Sequence, residues 1–575
     1  MFKQVVIEIL NGVVGLPHEE VERLIEVPPS LEMGDFSFPC FVLTNPKNYD
    51  GMWKDVEKDF FVKKSPVDIA LHLAEKINSG KLGSEIERVE AKGPYLNFYV
   101  NKEKLAKEII KIKAGYGGGK IINDKIMIEY SQPNTHKAFH VGHIRGTSLG
   151  ESLSRIFEFL GGKVVRANYS GDTGMHIAKW IWCYLKFHSK EKLSDDEEWI
   201  SGIYVDAVKR LGENEDLQVQ VDEINRKIED KSDKKINELW KKTRALSIKS
   251  WDRIYAELGT RFDRHYFESE IEVSGKQISN ELLKKGLAVV SEEAVIMDLK
   301  KHNLGVWVLL RRDGTVLYSA KDLALAHQKI QDQKLDRYVV ITGDEQNMYF
   351  QQLFKTLELM EMRKADKFKH IGFGMVRLPH GKMSSRTGDN ILYSNFKEGV
   401  YEFAKKGILE KWPRLSKKEV ESRSLKIAIG SMKYSMLGQD PNRNIIFDKE
   451  KALAFEGNTG PYLQYSYARA SSIVKKAGKV GKGRVKINEL NGEEVALLSS
   501  IDKFPEIVIR SGEQMNPAMI ANYSYELAKT FNEFYHCCHV VGDSSEVFRV
   551  RLVESFRICL KNALYLLGIE VMEEM

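Results

Sequence analysis

Apolar side chains recur at helical spacing from Phe2 to Val14, and Pro17 stops the run. A turn at Ala91-Lys92-Gly93-Pro94 leads into Tyr95-Leu96-Asn97-Phe98-Tyr99-Val100, which reads as a strand. Residues 1 to about 112 therefore read as a small α+β unit, closed by the glycine-rich linker Ala114–Gly119. Lys125 to Tyr130 is a second strand. After a polar loop, Leu149, Leu153, Ile156, Phe157 and Leu160 lie at helical spacing in a helix expected from about His143 to Leu160. Gly161-Gly162 ends that helix and Lys163–Asn168 resumes as a strand. Strand, helix, strand at this spacing is a βαβ unit and implies a parallel sheet, which Tyr338–Ile341 and Lys369–Phe373 would extend. Residues 185 to 250, rich in Lys, Glu and Asp with spaced Ile, Leu and Trp, read as a helical insertion with a solvated face. From about 396 the pattern is helical to the end, punctuated by Pro413, Pro441, Pro461, Pro505 and Pro517. The expected parts are thus 1–115, α+β; 116–395, α/β with insertions at about 181–250 and 264–310; and 396–575, an all-α bundle.

Composition changes this picture little. The 575 residues are too many for one core, so several domains are expected. With 43% hydrophobic and 29% charged residues the chain is globular, not disordered. The net charge of +6, from 87 basic and 81 acidic residues, permits a nucleic-acid partner without demanding one. No stretch approaches the roughly 18 apolar residues of a membrane span, and Met1-Phe2-Lys3-Gln4 lacks a signal-peptide pattern. No membrane association is expected. Five cysteines without a CxxC pair argue against a disulfide framework or a four-thiolate zinc site and fit a reducing cytoplasm. In His536-Cys537-Cys538-His539, four adjacent residues on a helix point four ways and cannot close one tetrahedron, so no structural zinc is expected.

The chemistry concentrates in two segments. The loop after the Lys125 strand ends in His140-Val141-Gly142-His143, two imidazoles flanking a glycine where a helix begins. A helix N-terminus at a strand's carboxyl end favours anions, Gly142 lets a nucleotide approach the backbone, and two ring N–H groups can stabilise charge growing on a phosphate. The second segment, Gly381-Lys382-Met383-Ser384-Ser385-Arg386-Thr387-Gly388, has the cations and hydroxyls to close over a triphosphate.

Together these segments resemble class I aminoacyl-tRNA synthetases: His140–His143 looks like their HIGH signature and Lys382–Ser385 like their KMSK signature. The resemblance implies a Rossmann-type catalytic domain that makes an aminoacyl-adenylate from ATP, carried with Mg²⁺, and an amino acid. His140, His143 and Lys382 would be catalytic, with Gly142, Gly374, Met375, Val376, Met383, Ser384 and Ser385 around ATP. Ser385 departs from the pattern, standing where a second lysine belongs. The family's arginyl branch often carries a lysine just before its HIGH motif, and Lys137 fits that compensating role.

The amino acid can be read from further residues. Glu129 ends a strand, Asn134 lies five on, Tyr318 and Asp322 share a face if helical, and Gln346 follows another strand. Two carboxylates, a phenol and two amides can surround a planar cation. They match the arginyl-tRNA synthetase pattern, which also implicates Ser131 in holding arginine. Asn134 and Gln346 would touch the α-amino and carboxylate end or the guanidinium, and Glu129, Tyr318 and Asp322 the guanidinium. The stretch Ala452–Ala470 resembles that family's DALR-type anticodon-binding domain, with Tyr462, Tyr465 and Tyr467 as candidate base platforms. Lys475, Lys476, Lys479, Lys482, Arg484 and Lys486 follow as a basic run able to meet phosphates. Met575 is carried over as an anticodon-side contact. Asn97 is carried over as an elbow contact of an added N-terminal domain. The resemblance implies a cytoplasmic monomer that joins arginine to tRNA(Arg) and activates it only with tRNA bound. A class I lysyl-tRNA synthetase, a non-catalytic tRNA-binding relative and a small-metabolite nucleotidylyltransferase remain rivals.

Overall fold

Ile126, Met127 and Ile128 are buried on successive positions, the signature of a strand covered on both faces. In the computed structural model, Lys125–Glu129 (β1), Lys163–Ser170 (β2), Arg264–Phe267 (β3), Arg337–Gly343 (β4) and Phe368–Phe373 (β5) form one sheet. Its order is β5-β4-β1-β2-β3 and every pairing is parallel. The structure describes residues 2–28, 30–44, 61, 63–80, 82–332, 334–377, 392–478 and 485–575. Lys382, Met383, Ser384 and Ser385, and Lys479, Lys482 and Arg484 of the basic run, lie outside the described residues.

Strand order grows in opposite directions from β1, through β2 and β3 on one side and β4 and β5 on the other. The chain leaving β1 and the chain leaving β4 diverge, and a crevice opens at their carboxyl ends. Register places Glu129, the last residue of β1, opposite Val340 of β4 and Ala167 of β2, at that edge.

Val141–Phe159 (α1) follows the loop after β1. Its close approach to the sheet requires Gly150: a Cβ there would stand 2.1 Å from the Tyr130 ring. Beside it, buried Glu151 accepts from Arg155 at 2.7 Å, Arg166 at 2.9 Å and Tyr130 at 3.0 Å. Burial alone would raise this carboxyl; the two guanidiniums outweigh it and hold it below its ordinary range.

The charged segment forms helices Glu197–Glu213, Gln218–Glu229 and Lys234–Glu257, with an apolar core of their own that includes Trp180, Trp182, Val221 and Trp240. Residues 264–267, expected at the start of a second insertion, instead supply the fifth strand of the main sheet. The antiparallel sheet Val289–Ser291, Ala294–Asp298 and Val306–Leu310 comes later. Tyr318–Asp332 (α2) leads back to β4. Among the described residues beyond 392 the regular structure is helical, with Lys417–Leu437 (α3) and Gly460–Ala477 (α4), except that Ile445–Ile446 pairs in parallel with Val376–Arg377.

The chain divides into two compact units. One comprises residues 1–113, 473–503 and 529–558; the other comprises 114–472, 504–528 and 559–575 and holds the parallel sheet. In the first, strand Tyr95–Val100 lies between Phe36–Pro39 and Ile86–Lys92, all antiparallel. Helix Pro66–Ser79 packs on the sheet, capped by the Ser65 hydroxyl, which accepts from Asp68 N–H.

Candidate functional site

A cavity of about 870 Å³ fills the crevice at the carboxyl ends of β1 and β4, well within the range of ligand pockets. The loop after β1 builds one wall under backbone strain: Ser131 and Gln132 adopt φ of 79° and 41°, which L side chains rarely occupy. Two hydroxyls hold Ser131 there. Its Oγ lies 3.0 Å from the Tyr255 hydroxyl and accepts from Thr147 at 2.8 Å.

The same loop ends in the two histidines. His140 is the N-cap of α1: its Nδ1 accepts from Gly142 N–H at 3.2 Å, while His143 Nδ1 accepts from His140 N–H at 3.1 Å. Both Nδ1 atoms are acceptors, so each ring carries its proton on Nε2. The rings stack at 3.9 Å. Burial, with the Lys137 charge behind it, pushes His140 down to about 4; burial, its histidine neighbour and Lys137 also push His143 well down. Near neutral pH the pair therefore presents neutral N–H donors.

Gly374, Met375 and Val376 form a second wall. Arg145, one turn into α1, pins this segment by donating to the carbonyls of Gly374 and, at 2.9 Å, Pro441. The chain leaves the described residues after Arg377 and returns at Leu392, which makes a β-bridge with His140. The next residue, Tyr393, donates its N–H to Phe139 O at 2.8 Å. Both flanks of the segment holding Lys382 thus meet the walls of this cavity.

The side facing α2 is acidic. Glu129, Asp322 and Glu268 line it together with Tyr169, Tyr318 and Tyr349. Asp322 accepts from the Tyr349 hydroxyl. Burial raises the Asp322 carboxyl to about 7; the Tyr349 bond opposes this and the charge of Glu129 adds to it. Burial likewise raises Glu268, against the pull of Lys321, whose Nζ lies at 3.5 Å. Glu129 forms an ion pair with Lys329 of α2, both nearly inaccessible. The Tyr169 hydroxyl is buried and has no hydrogen-bond partner among the described residues. An orphaned polar atom in a cavity wall is costly unless a ligand satisfies it.

Ser131, Asn134, Gln346, Tyr318, Asp322 and Glu129 all line this cavity, as do His140, Gly142, His143, Gly374, Met375 and Val376. Lys137 does not; its ammonium lies 5.3 Å from the Tyr204 ring, beside a much smaller void shared with Glu197. Asn97 is 3% exposed and accepts from Ser37 Oγ at 2.6 Å, and Met575 is 8% exposed in an apolar cluster with Phe139 and Ile427. A contact with RNA at either requires its cover to move. Tyr467 is core, and its hydroxyl donates to Glu573 at 3.0 Å. Tyr465 is half-buried with Lys411 at 4.7 Å and Arg469 at 4.8 Å from its ring, and Tyr462 packs 5.8 Å from Tyr525. Sequence reasoning missed Glu268, Tyr349, Lys329 and Arg145. Only Lys329 left a readable signal, standing two helical turns after Asp322 and so on the same face.

Among the described residues one group has the makings of a metal site, Cys183, His188 and Asp206. Asp206 Oδ2 already accepts from all of Cys183, His188 at 3.0 Å and Arg210 at 2.8 Å, so the cluster is a satisfied hydrogen-bond network around a guanidinium. No helix of the described residues is long and apolar enough to cross a membrane.

Comparison with known proteins gives concordant matches. The class I tRNA synthetase (R) catalytic domain matches residues 107–449, the DALR anticodon binding domain 463–575, and the arginyl tRNA synthetase N terminal domain 1–100. An arginine–tRNA ligase of Clostridium acetobutylicum is 36% identical over 584 residues, covering 100% of both chains. One from Clostridium perfringens is 34% identical over 585 residues with the same coverage. The solved arginyl-tRNA synthetase of Thermus thermophilus shares the fold, with a TM-score of 0.82 at 24% identity over 100% of this chain and 99% of that one.

Proposed function

The chain belongs to the class I arginyl-tRNA synthetases, and we propose from its site how it works as an arginine–tRNA ligase. Arginine, ATP and tRNA(Arg) are its substrates, and Mg²⁺ enters with the triphosphate. The reading rests on one observation: a single cavity lined by two neutral histidine donors at a helix N-terminus and by Glu129, Glu268 and Asp322 around an orphaned tyrosine hydroxyl, with Glu345 a fourth carboxylate of the lining.

The guanidinium enters the acidic side. Asp322 is its principal partner, since burial raises its pKa and a fixed cation at that place recovers the cost of ionising it. Glu268 and the hydroxyls of Tyr169 and Tyr318 complete the surround, and Asn134, Ser131 and Gln346 face the amino-acid backbone. A site of this kind rejects uncharged analogues because its polar groups would be left unpaired. The arginine carboxylate then attacks the α-phosphate. A carboxylate O–P bond forms, the bond to the bridging oxygen breaks, and pyrophosphate leaves. The Nε2–H groups of His140 and His143 and the first-turn N–H groups of α1 meet the growing charge as dipoles. Gly374 and Met375 face the nucleotide, and Lys382 closes on the leaving phosphates with Met383, Ser384 and Ser385. Lys137 contributes through its field, since its ammonium acts on both histidines and forms no ion pair among the described residues, with Glu268 reaching it only through space. In the second step the terminal 2′-hydroxyl of tRNA attacks the adenylate carbonyl and AMP leaves.

Residues 1–115 and 396–575 serve tRNA binding in this reading, with Tyr462 and Tyr465 facing the anticodon side and Asn97 and Met575 engaged once RNA displaces their cover. The chain acts as a cytoplasmic monomer, and activation waits for tRNA. Arginine-dependent pyrophosphate exchange, run with and without tRNA(Arg), tests this. Exchange only with tRNA is expected; equal rates in both reactions overturn the tRNA requirement.

A further inference from the structure

An acidic pocket for one guanidinium does not need three free carboxylates, and this one does not have them. Glu268 has Lys321 at 3.5 Å, and Glu129 has Lys329 against its Oε2 in a pair of which each side chain is 5% exposed, an ion contact without hydrogen-bond geometry. Among the described residues Asp322 forms no ion pair and accepts from one neutral donor, Tyr349, with Lys329 acting on it only through its field; Glu345, the remaining carboxylate of the lining, is exposed. Tyr169, Tyr349 and Tyr266 face the same group of charges and add hydroxyls, not counter-ions. The two lysines are not interchangeable. Lys321 also reaches Glu272 at 3.8 Å, outside the cavity lining. Lys329 lines the cavity itself and neutralises the carboxylate at the very end of β1.

We propose that Lys329 is a positioning residue: as the pocket's resident counter-ion it takes Glu129 out of competition for the incoming guanidinium, so that the substrate side chain settles on Asp322 and not on Glu129. This rests on the arginine reading above and deepens it. Glu129 ends β1, directly before the strained loop that leads to His140, whereas Asp322 stands on α2. A guanidinium shared between these two elements would drag the reacting carboxylate with it. Misplacement by about 1 Å costs on the order of 10²-fold in rate. The coulombic consequence for affinity runs the other way, because a pocket stripped of one internal cation attracts the substrate at least as strongly.

The test uses the full chain with tRNA(Arg) present and reads arginine-dependent pyrophosphate exchange for Lys329→Met and Lys329→Arg. Lys329→Met is expected to lower kcat about 10²-fold with KM for arginine unchanged or reduced and KM for ATP unchanged. Lys329→Arg, which restores the charge, should recover most of kcat. A general structural role would instead raise both KM values. That result, or a Lys329→Met enzyme with wild-type kcat, overturns the proposal. If Lys329→Met does not fold, a crystal structure of the wild-type chain with arginine decides: Lys329 still on Glu129 with the guanidinium on Asp322 supports it, and a guanidinium between the two carboxylates with Lys329 displaced refutes it. Failure of the arginine reading looks different, since the wild-type chain would then show no arginine-dependent exchange at all.

Discussion

Replacing Asp322 with asparagine separates what this residue does for the fold from what it does for the substrate. The carboxyl titrates at about 7 in the folded chain against an ordinary 3.8. The folded state thus binds this proton more tightly than the unfolded state, and ionised Asp322 works against folding. The cost is absent below the unfolded value, grows as pH rises, and is complete above pH 7. Its ceiling is roughly 3 pKa units, or about 4 kcal/mol. Asparagine keeps the shape and an oxygen for Tyr349 to donate to, and removes the charge. Calorimetry of the ligand-free protein at pH 8 should show a higher Tm for Asp322→Asn, and the gain should vanish near pH 4. Activity should move the opposite way. Removing the partner of a desolvated guanidinium costs about 3 kcal/mol or more, over 10²-fold in kcat/KM, carried mainly by KM for arginine. In the wild-type chain KM for arginine should be flat above pH 7 and rise about tenfold per unit below it; the variant should lose that dependence. A variant that is less stable at pH 8, or that charges arginine within about threefold of wild type, refutes the reasoning.

Other consequences follow from the same groups. His140→Asn keeps a good N-cap and deletes the ring N–H, so chemical denaturation should shift by less than about 0.5 kcal/mol while single-turnover activation slows about 10² to 10³-fold. Burial holds His136 to about 3 and His140 to about 4, with His143 and His176 also well down. The unfolded chain takes up these protons near pH 6.5 and the folded chain does not, so urea midpoints should fall steadily from pH 7 to 5, by up to about 1.4 kcal/mol per unit for each histidine; a flat profile contradicts the neutral state assigned to them. All five cysteines are free and only Cys537 is exposed, while burial pushes Cys40, Cys183 and Cys559 up to about 12. A thiol reagent should therefore label one site in the native protein and five in denaturant.

The parallel sheet was legible because strands buried on both faces must read as apolar runs, and Ile126–Ile128 and Val339–Ile341 do. The histidine pair was legible because capping, anion binding and close approach all demand those residue types at one helix start. The rest of the pocket was not. Glu268 follows a four-residue edge strand, Arg264–Phe267, whose exposed half reads as loop; it reaches the cavity only because β3 joins a sheet begun 139 residues earlier. Arg145 sits in an ordinary helix pattern, and nothing local marks a guanidinium that holds carbonyls at 374 and 441. Burial misled in the other direction: Tyr467 and Met575 carry the residue types of a binding surface, but tertiary packing has taken both into apolar cores. Charge was the subtlest loss. Glu129 and Asp322 read alike as acids, and only the placement of Lys329 distinguishes them.

The most direct measurement is aminoacylation of total tRNA by the purified chain with each labelled amino acid in turn. The account predicts a tRNA ester with arginine and with no other amino acid. Charging with lysine, or with nothing while the protein is folded and binds ATP, contradicts it.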